Sequence, residues 1–324
     1  MATEPTTLQE AVVYFASADN CREYMVPRRW SNGVTCPTCG SDKVHFQSQH
    51  NRWQCSNRHP RRQFTLKTGT IMEDSPIGLD KWLTAMWLVA SNRNGISSWE
   101  LHRSLGITQK TAWFLLHRVR LAMQDELTGG NLGGEVEVDE TFIGGKARNM
   151  HKARRRRASS VASGMHGGAG KAIVMGMLER GKTVRATVIT DRTKATMQPI
   201  VGANVEPGSQ IYSYEHGEAW RMAEYEHSMV NHLEADADGN VHTNGMENFW
   251  SLLKRGLNGT YVSVEPFHLF RYVDEQAFRF NNRKPMCDAD RFSFLVRKIV
   301  GKRLTYAELT GKTEAAPDPK EEVF

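Results

Sequence analysis

Three cysteines and a histidine carry the sharpest chemical signal in the chain. Cys36-Pro37-Thr38-Cys39 is followed, after fifteen intervening residues, by Cys55 and then by His59. Two close pairs of thiolate and imidazole ligands suit tetrahedral zinc, because each pair forms a knuckle and the loop between them closes the site. Gly40 eases the tight turn behind the first pair. Four ligands fill the coordination sphere, so the spacing predicts a structural ion and not a catalytic one. His50 is an alternative fourth ligand, and a bare reactive CxxC is the alternative to a metal site altogether.

A second group offers carboxylates. Glu135, Glu137 and Asp139 recur at every second residue, so a strand sets them on one face. Three like charges there repel one another unless solvent at an edge strand, or a divalent cation, screens them. Further on, Asn244, Glu247, Ser251 and Lys254 share one face of a helix, opposite Met246, Phe249, Trp250, Leu253 and Leu257. A simple polar side accounts for that pattern equally well. Cations gather elsewhere. Arg52, Arg58, Arg61, Arg62 and Lys67 crowd the cysteine module, and Arg154, Arg155 and Arg156 lie within the basic run from Lys152 to Arg157. Both clusters suit contacts to a phosphate backbone, and both also suit a solvated surface.

The elements that position these residues follow from periodicity and capping. Residues 1–30 form a helical lead-in, and residues 31–75 a small metal-stapled module. In residues 76–130, Ser97 and Glu100 have capping-box spacing, Leu105-Gly106-Ile107 makes a turn, and Thr108 caps the next helix. With Gln109, Lys110 and Arg118 on that second helix, the pair matches a DNA-reading helix-turn-helix as well as an ordinary helical hairpin. Residues 131–300 change period. The apolar run Lys171–Leu178 and the β-branched Thr183–Ile189 flank the turn signal Arg180-Gly181, which predicts a hairpin. A helix near Thr193–Val201, a strand at Gln210–Tyr214 and helices from Gly245 to about Phe280 follow. The expected fold is α/β, a mixed sheet with flanking helices. Residues 301–324, with Pro317 and Pro319, are expected to be a disordered tail.

Composition narrows the class. The 324 residues carry 42 Lys+Arg against 36 Asp+Glu, a net charge of +6 that is too small to name a partner alone. At 40% hydrophobic and 24% charged, the chain is neither disordered nor fibrous. Its longest mostly apolar stretch, Trp82 to Ala90, falls short of the roughly 20 residues a membrane span needs. An odd cysteine count without a signal segment points to a reducing, cytoplasmic setting.

At this point a family resemblance enters. Val136-Glu137-Val138-Asp139-Glu140-Thr141-Phe142-Ile143-Gly144-Gly145-Lys146 resembles the first catalytic block of bacterial insertion-sequence transposases of the zinc-ribbon DDE type (ISXO-two-like). The block His242-Thr243-Asn244-Gly245-Met246-Glu247, continued by Phe249-Trp250-Ser251-Leu252-Leu253-Lys254-Arg255-Gly256, is similar to a later one. Phe278-Arg279-Phe280-Asn281, the Cys36–His59 cluster and Gly69-Thr70-Ile71 match as well, so the likeness runs from about Cys21 to Arg283. It implies a ribonuclease H-like, integrase-type domain behind a zinc ribbon and a helix-turn-helix. Three acids of that domain would hold two Mg²⁺ ions, with Asp139 as the first acid and Glu247 as the third. Such ions activate water or a DNA 3′-hydroxyl and stabilise the leaving oxygen. Asn244 belongs to the same block, and Lys254 with Arg255 would meet DNA phosphate. The implied partners are double-stranded DNA and a second copy of the chain at the nucleoid, with no membrane.

One position departs from the pattern. The family's second acid falls directly after Ile211-Tyr212-Ser213, where this chain has Tyr214. A phenol with an ordinary pKa near 10 is a poor substitute for a carboxylate bridging two cations. Glu215 is adjacent but points to the other face of a regular strand, and Glu218 is more distant. The sequence therefore predicts a protein that binds zinc and DNA and cuts poorly or not at all. A catalytically dead DNA-binding regulator derived from such an enzyme is the alternative. An ordinary nuclease on the same fold is a third reading.

Overall fold

Thr7 accepts the amide of Glu10 while the Glu10 carboxylate accepts the amide of Thr7, so the chain enters its first helix, α1 (Leu8–Phe15), through a closed capping box. The structure is a computed structural model that describes residues 3–124, 130–144, 171–214, 222–230 and 242–312, with the backbone alone at Tyr214 and at residues 229–230. The chain divides into two compact units, residues 1–123 with 286–324 and residues 124–285.

In the first unit, α1 is followed by α2 (Ala18–Arg29) and a three-stranded antiparallel sheet in the order β1 (Val44–Gln47), β2 (Arg52–Cys55), β3 (Gln63–Phe64). Asn51, at φ 46°, makes the turn into β2. Trp53 stacks on Phe64 at 6.0 Å, giving this short sheet its apolar filling beside the cysteines. Helices α3 (Leu79–Ser91), α4 (Ser98–Leu105) and α5 (Gln109–Met123) complete the N-terminal part. The α4–α5 pair forms as its caps require: Ser97 closes a capping box with Glu100, and Gly106 ends α4 at φ 59°.

The second unit is built on a mixed five-stranded sheet. Its strands are β4 (Glu135–Ile143), β5 (Ala172–Glu179), β6 (Val184–Ile189), β7 (Gln210–Tyr214) and β8 (Glu226–Val230), with helix α6 (Lys194–Asn204) between β6 and β7. The spatial order is β6-β5-β4-β7-β8, antiparallel across β6, β5 and β4 and parallel across β4, β7 and β8. Helices α7 (Asn244–Arg255) and α8 (Leu269–Asn281) follow. Alternation along each strand splits the core in two. Val136 and Val138 join Met197 and Val201 of α6 in one layer, while Val174 and Leu178 join Met246, Phe249 and Trp250 of α7 in the other. The Asn281 side-chain amide accepts from the Val184 N–H at 2.8 Å and donates to the Val184 carbonyl at 2.9 Å, tying the end of α8 to β6.

The chain then returns to the first unit, which the sequence pattern did not convey. Helix α9 (Asp288–Arg297) buries Phe292 against Phe15, Tyr24 and Trp87, and a short α10 (Tyr306–Leu309) follows. A catalytic region running to residue 300 and a tail beginning at 301 are thus corrected: residues 286–312 belong with the N-terminal helices, because Phe292 fills their core. β8 is also additional to the sequence expectation.

Sheet and helix meet most closely at Gly176, the β5 partner of Asp139. A Cβ there would stand 2.2 Å from the Met246 methyl and 2.8 Å from the Trp250 ring. The methyl can swing aside, but the indole is held in place by its own hydrogen bond. Gly176→Ala is therefore expected to cost about 1–3 kcal/mol, the usual penalty of overpacking, as measured by urea unfolding of the full chain. An unchanged midpoint would contradict this packing.

Candidate functional site

Cys36, Cys39, Cys55 and His59 converge so that their ligand atoms all lie within 4.8 Å of one another. Cys36 Sγ is 3.4 Å from His59 Nε2, and Cys39 Sγ is 3.6 Å from Cys55 Sγ. Ligand atoms around a tetrahedral zinc ion stand roughly 3.6 Å apart, so the cluster has the dimensions of a structural zinc site. His59 Nδ1 lies 2.6 Å from the Pro60 carbonyl oxygen. A carbonyl only accepts, so the proton sits on Nδ1 and Nε2 keeps its lone pair for the metal. His59, and not His50, completes the set.

The acidic face of β4 is arranged differently from a simple row of repelling charges. Arg180 answers two of its three carboxylates. Its Nε donates to Glu137 at 3.0 Å and its Nη1 reaches Glu135 at 3.4 Å, while Tyr212 Oη donates to Glu135 at 2.9 Å. The same guanidinium donates to the His242 carbonyl at 2.6 Å and lies over the Tyr212 ring at 4.0 Å. A metal is not needed to hold Glu135 and Glu137 together. Glu137 also accepts the Met246 N–H at 2.9 Å, which makes it the cap of α7 from another element. Gly245 permits this approach, since a Cβ would fall 2.8 Å from the Glu137 carboxylate.

Asp139 is the acid of this face that Arg180 does not reach. Its Oδ2 accepts the Trp250 indole N–H at 2.8 Å. Burial pushes its carboxyl up to about 6; the Trp250 bond opposes that, and the Glu140 and Glu247 charges add to it. Glu247 stands on the exposed side of α7 with Asn244, Ser251 and Lys254. Helix α7 thus gives its apolar stripe to the sheet and holds Glu247 near enough for its charge to act on Asp139. Across β4 and β7 the register pairs Glu137 with Tyr212. The paired stretch ends there, with Asp139 two residues further along β4 and Tyr214 two residues further along β7.

This donor set has a definite capacity. Mg²⁺ is held by one or two carboxylates with water completing its shell, a number that Asp139 and Glu247 could supply. A tyrosine at position 214 brings no third carboxylate. Glu215 and Glu218 lie outside the described residues, as do Arg154, Arg155 and Arg156.

Other residues singled out by the sequence fall in varied places. Arg58 and Arg61 are exposed beside the zinc cluster, while Arg62 Nε donates to the Cys55 carbonyl at 3.1 Å and so braces the ribbon. Gln109 donates to Ser98 Oγ at 2.9 Å, and exposed Lys110 rests over the Tyr306 ring at 4.6 Å. Arg118 needs correcting as a DNA contact. It is buried, and its guanidinium donates to the carbonyls of Leu304 and Glu73 at 3.0 and 2.9 Å. Arg180 and Trp250 were missed as site residues. Trp250 carried a usable signal, because a buried indole N–H requires a partner.

Two comparisons define the class. Residues 131–281 match the family model of the ISXO2-like transposase domain, and residues 16–57 match that of the transposase zinc-ribbon domain. A protein described as an uncharacterized protein in transposable element ISH50, from Halobacterium salinarum, is 24% identical over 255 residues, 75% of this chain and 84% of the relative. Residues 131–281 are thus an ISXO2-like transposase domain and residues 16–57 a transposase zinc ribbon, the two parts of an insertion-sequence transposase that this chain resembles. Among the described residues, no helix is long and apolar enough to cross a membrane.

Two outcomes follow from this geometry. Cys36→Ser is expected to abolish stoichiometric zinc, measured by metal analysis, and to disorder the module around Trp53, seen in its fluorescence; retention of both would refute the four-ligand site. At Asp139, the folded state keeps a proton that the unfolded chain has released between its ordinary value of 3.8 and about 6. The stability held there is complete at lower pH and is lost as pH rises through 6. Asp139→Asn is therefore expected to gain about 1–3 kcal/mol near neutral pH and nothing at about pH 4 in urea melts. A neutral-pH loss would show that the carboxylate is better solvated than its burial implies.

Proposed function

We propose that this chain is a DNA transposase of an insertion sequence, whose second unit has the ribonuclease H-like architecture of DDE recombinases. The observation that carries the reading is the approach of Glu247 on α7 to Asp139 on β4, on a strand that pairs in parallel with β7, whose last residue is Tyr214. A Mg²⁺ ion held by Asp139 and Glu247 would supply Lewis-acid activation of the attacking oxygen at a DNA phosphate. Around it, the protein's own groups have separate tasks. Trp250 fixes one oxygen of Asp139 and leaves the other for a ligand. Glu137 and Arg180 seat the start of α7 and so set the position of Glu247. Lys254 and Arg255, exposed near the end of the same helix, are suited to phosphate.

The first unit supplies recognition in this reading. The zinc ribbon offers Arg58 and Arg61, and the α4–α5 pair acts as a helix-turn-helix with Gln109 and Lys110 at the start of its second helix. Two element ends must be brought together for strand transfer, so two copies act jointly on DNA at the bacterial nucleoid.

Tyr214 limits the chemistry of this copy. With a tyrosine at the position of the family's second acid, the site would lack the bridge for a second ion unless Glu215 or Glu218 supplies it, so cleavage and strand transfer are weak or lost while binding persists. The decisive experiment uses DNA carrying the two ends that flank the protein's own coding sequence. The wild-type chain should leave it intact in Mg²⁺, and Tyr214→Asp should nick it, with both proteins binding equally. Efficient cutting by the wild type would overturn the role given to Tyr214. If Tyr214→Asp binds but cuts no better than its Asp139→Asn derivative, the chain is a DNA-binding regulator and not an enzyme awaiting one acid.

A further inference from the structure

The helix carrying Glu247 does not stop at Arg255. It widens into a π-helical turn, Gly256–Tyr261, and ends at Val262. Val262 has φ 61° and ψ −51°, and the Ser263 N–H donates to the Tyr261 carbonyl at 2.6 Å. This is a γ-turn in its rare positive-φ form. A β-branched residue is costly there, so its surroundings must impose the conformation. Tyr261 supplies the anchor. Its hydroxyl donates to Glu275, which also takes Arg279, and both of these are buried in α8. Its ring meets Tyr272 edge-on at 4.7 Å.

What this anchored turn presents is apolar and open. Val262 is 78% exposed and Phe267, five residues on, is 61% exposed; Phe270 adds a ring at 38%. Cations flank them. Exposed Lys254 and Arg255 precede the turn, and Glu265 is the one acid between Lys254 and Phe270.

We propose that this tip is a DNA wedge, with Val262 and Phe267 entering or capping a distorted base step while Lys254 and Arg255 hold the adjoining phosphates. The proposal rests on the reading of the chain as a DNA-acting transposase and adds a contact surface to it. Three physical points favour this occupant. A side chain that pushes between bases has to be rigid, and the γ-turn, with Tyr261 anchored on buried Glu275, makes Val262 so. Base faces accept any apolar or aromatic partner, which suits an exposed Phe on a cationic rim. Position also agrees, because a helical rise of about 1.5 Å per residue or less sets the tip some 20 Å from Glu247, about six base steps along a duplex. A second copy of the chain is the weaker occupant. Even at about 200 Å² for each fully covered ring, one valine and two part-covered phenylalanines fall well below the roughly 800 Å² per partner of a standard interface.

The test compares full-length wild type, Val262→Gly and Phe267→Ala on two fluorescent duplexes, one fully paired and one with a single unpaired base at its centre. Val262→Gly relieves the positive-φ strain, so it keeps the experiment valid should Phe267→Ala fold poorly. The wild type should prefer the unpaired-base duplex, and each variant should lose about fivefold or more of that preference, the scale of one lost base stack. Affinity for the paired duplex and its salt dependence should hardly change, since the cations remain. Unchanged preference in both variants overturns the wedge alone. A wild type that binds neither duplex overturns the transposase reading with it. Variants that shift the sedimentation of the free protein, without altering DNA preference, would assign the patch to self-association and refute the wedge.

Discussion

The second unit hangs on one carboxylate. Glu137 is almost wholly removed from solvent, and its two oxygens are divided between Arg180 and the amide of Met246. A buried charge of this kind is tolerable only while both partners stay in place. That requirement fixes the strand, the turn after β5 and the start of α7 relative to one another. Four residues past Met246, one helical turn, Trp250 arrives over Gly176 and reaches Asp139. The position of the acidic site is therefore a consequence of how its neighbour two residues earlier is satisfied.

The same arrangement sorts the charges of β4. Glu135 and Glu137 share Arg180, so their repulsion is settled within the protein. Asp139 receives neutral N–H donors, the Trp250 indole and the Glu140 backbone, and keeps an unfavourable buried charge, pushed further by the Glu140 and Glu247 carboxylates. Of three acids in register, the strand thus offers one whose ionised form would gain most from an external cation. An amphipathic strand with three equivalent carboxylates would have spread any bound cation over several positions; the guanidinium confines it to one.

Local patterns were legible in the sequence and distant pairings were not. The zinc ligands declare themselves by type and spacing, and the structure gathers all four within one cluster. Strand β7 has the expected bounds, the β5–β6 hairpin turns where Arg180-Gly181 signals it, and α7 divides its faces as its period requires. Arg180, however, read only as a turn residue, because nothing within a few positions of it reveals Glu137, some forty residues earlier. Glu137 read as a candidate for metal for the same reason. Arg118 read as an exposed cation on a helix, yet its partners, Glu73 and Leu304, come from opposite ends of the chain. Phe292 gave no hint that it would fill the N-terminal core. β8, with His227 and Ser228 in its middle, has too little apolar alternation to announce itself.

This division bears on what a change at position 214 can do. The groups that hold Asp139 and Glu247 in place are Glu137, Arg180, Gly176, Gly245 and Trp250, carried by β4, the end of β5 and α7. None of them belongs to β7. The strand bearing Tyr214 contributes to the sheet through its backbone ladder to β4 and β8, and through Ile211 and Tyr212, which precede the position in question. In the proposed reading, replacing an acid at its last residue removes a ligand without loosening the frame, so a transposase can lose its cutting chemistry here while its fold, its zinc and its exposed cations remain. A folded and DNA-competent protein is then no evidence that the third ligand is intact.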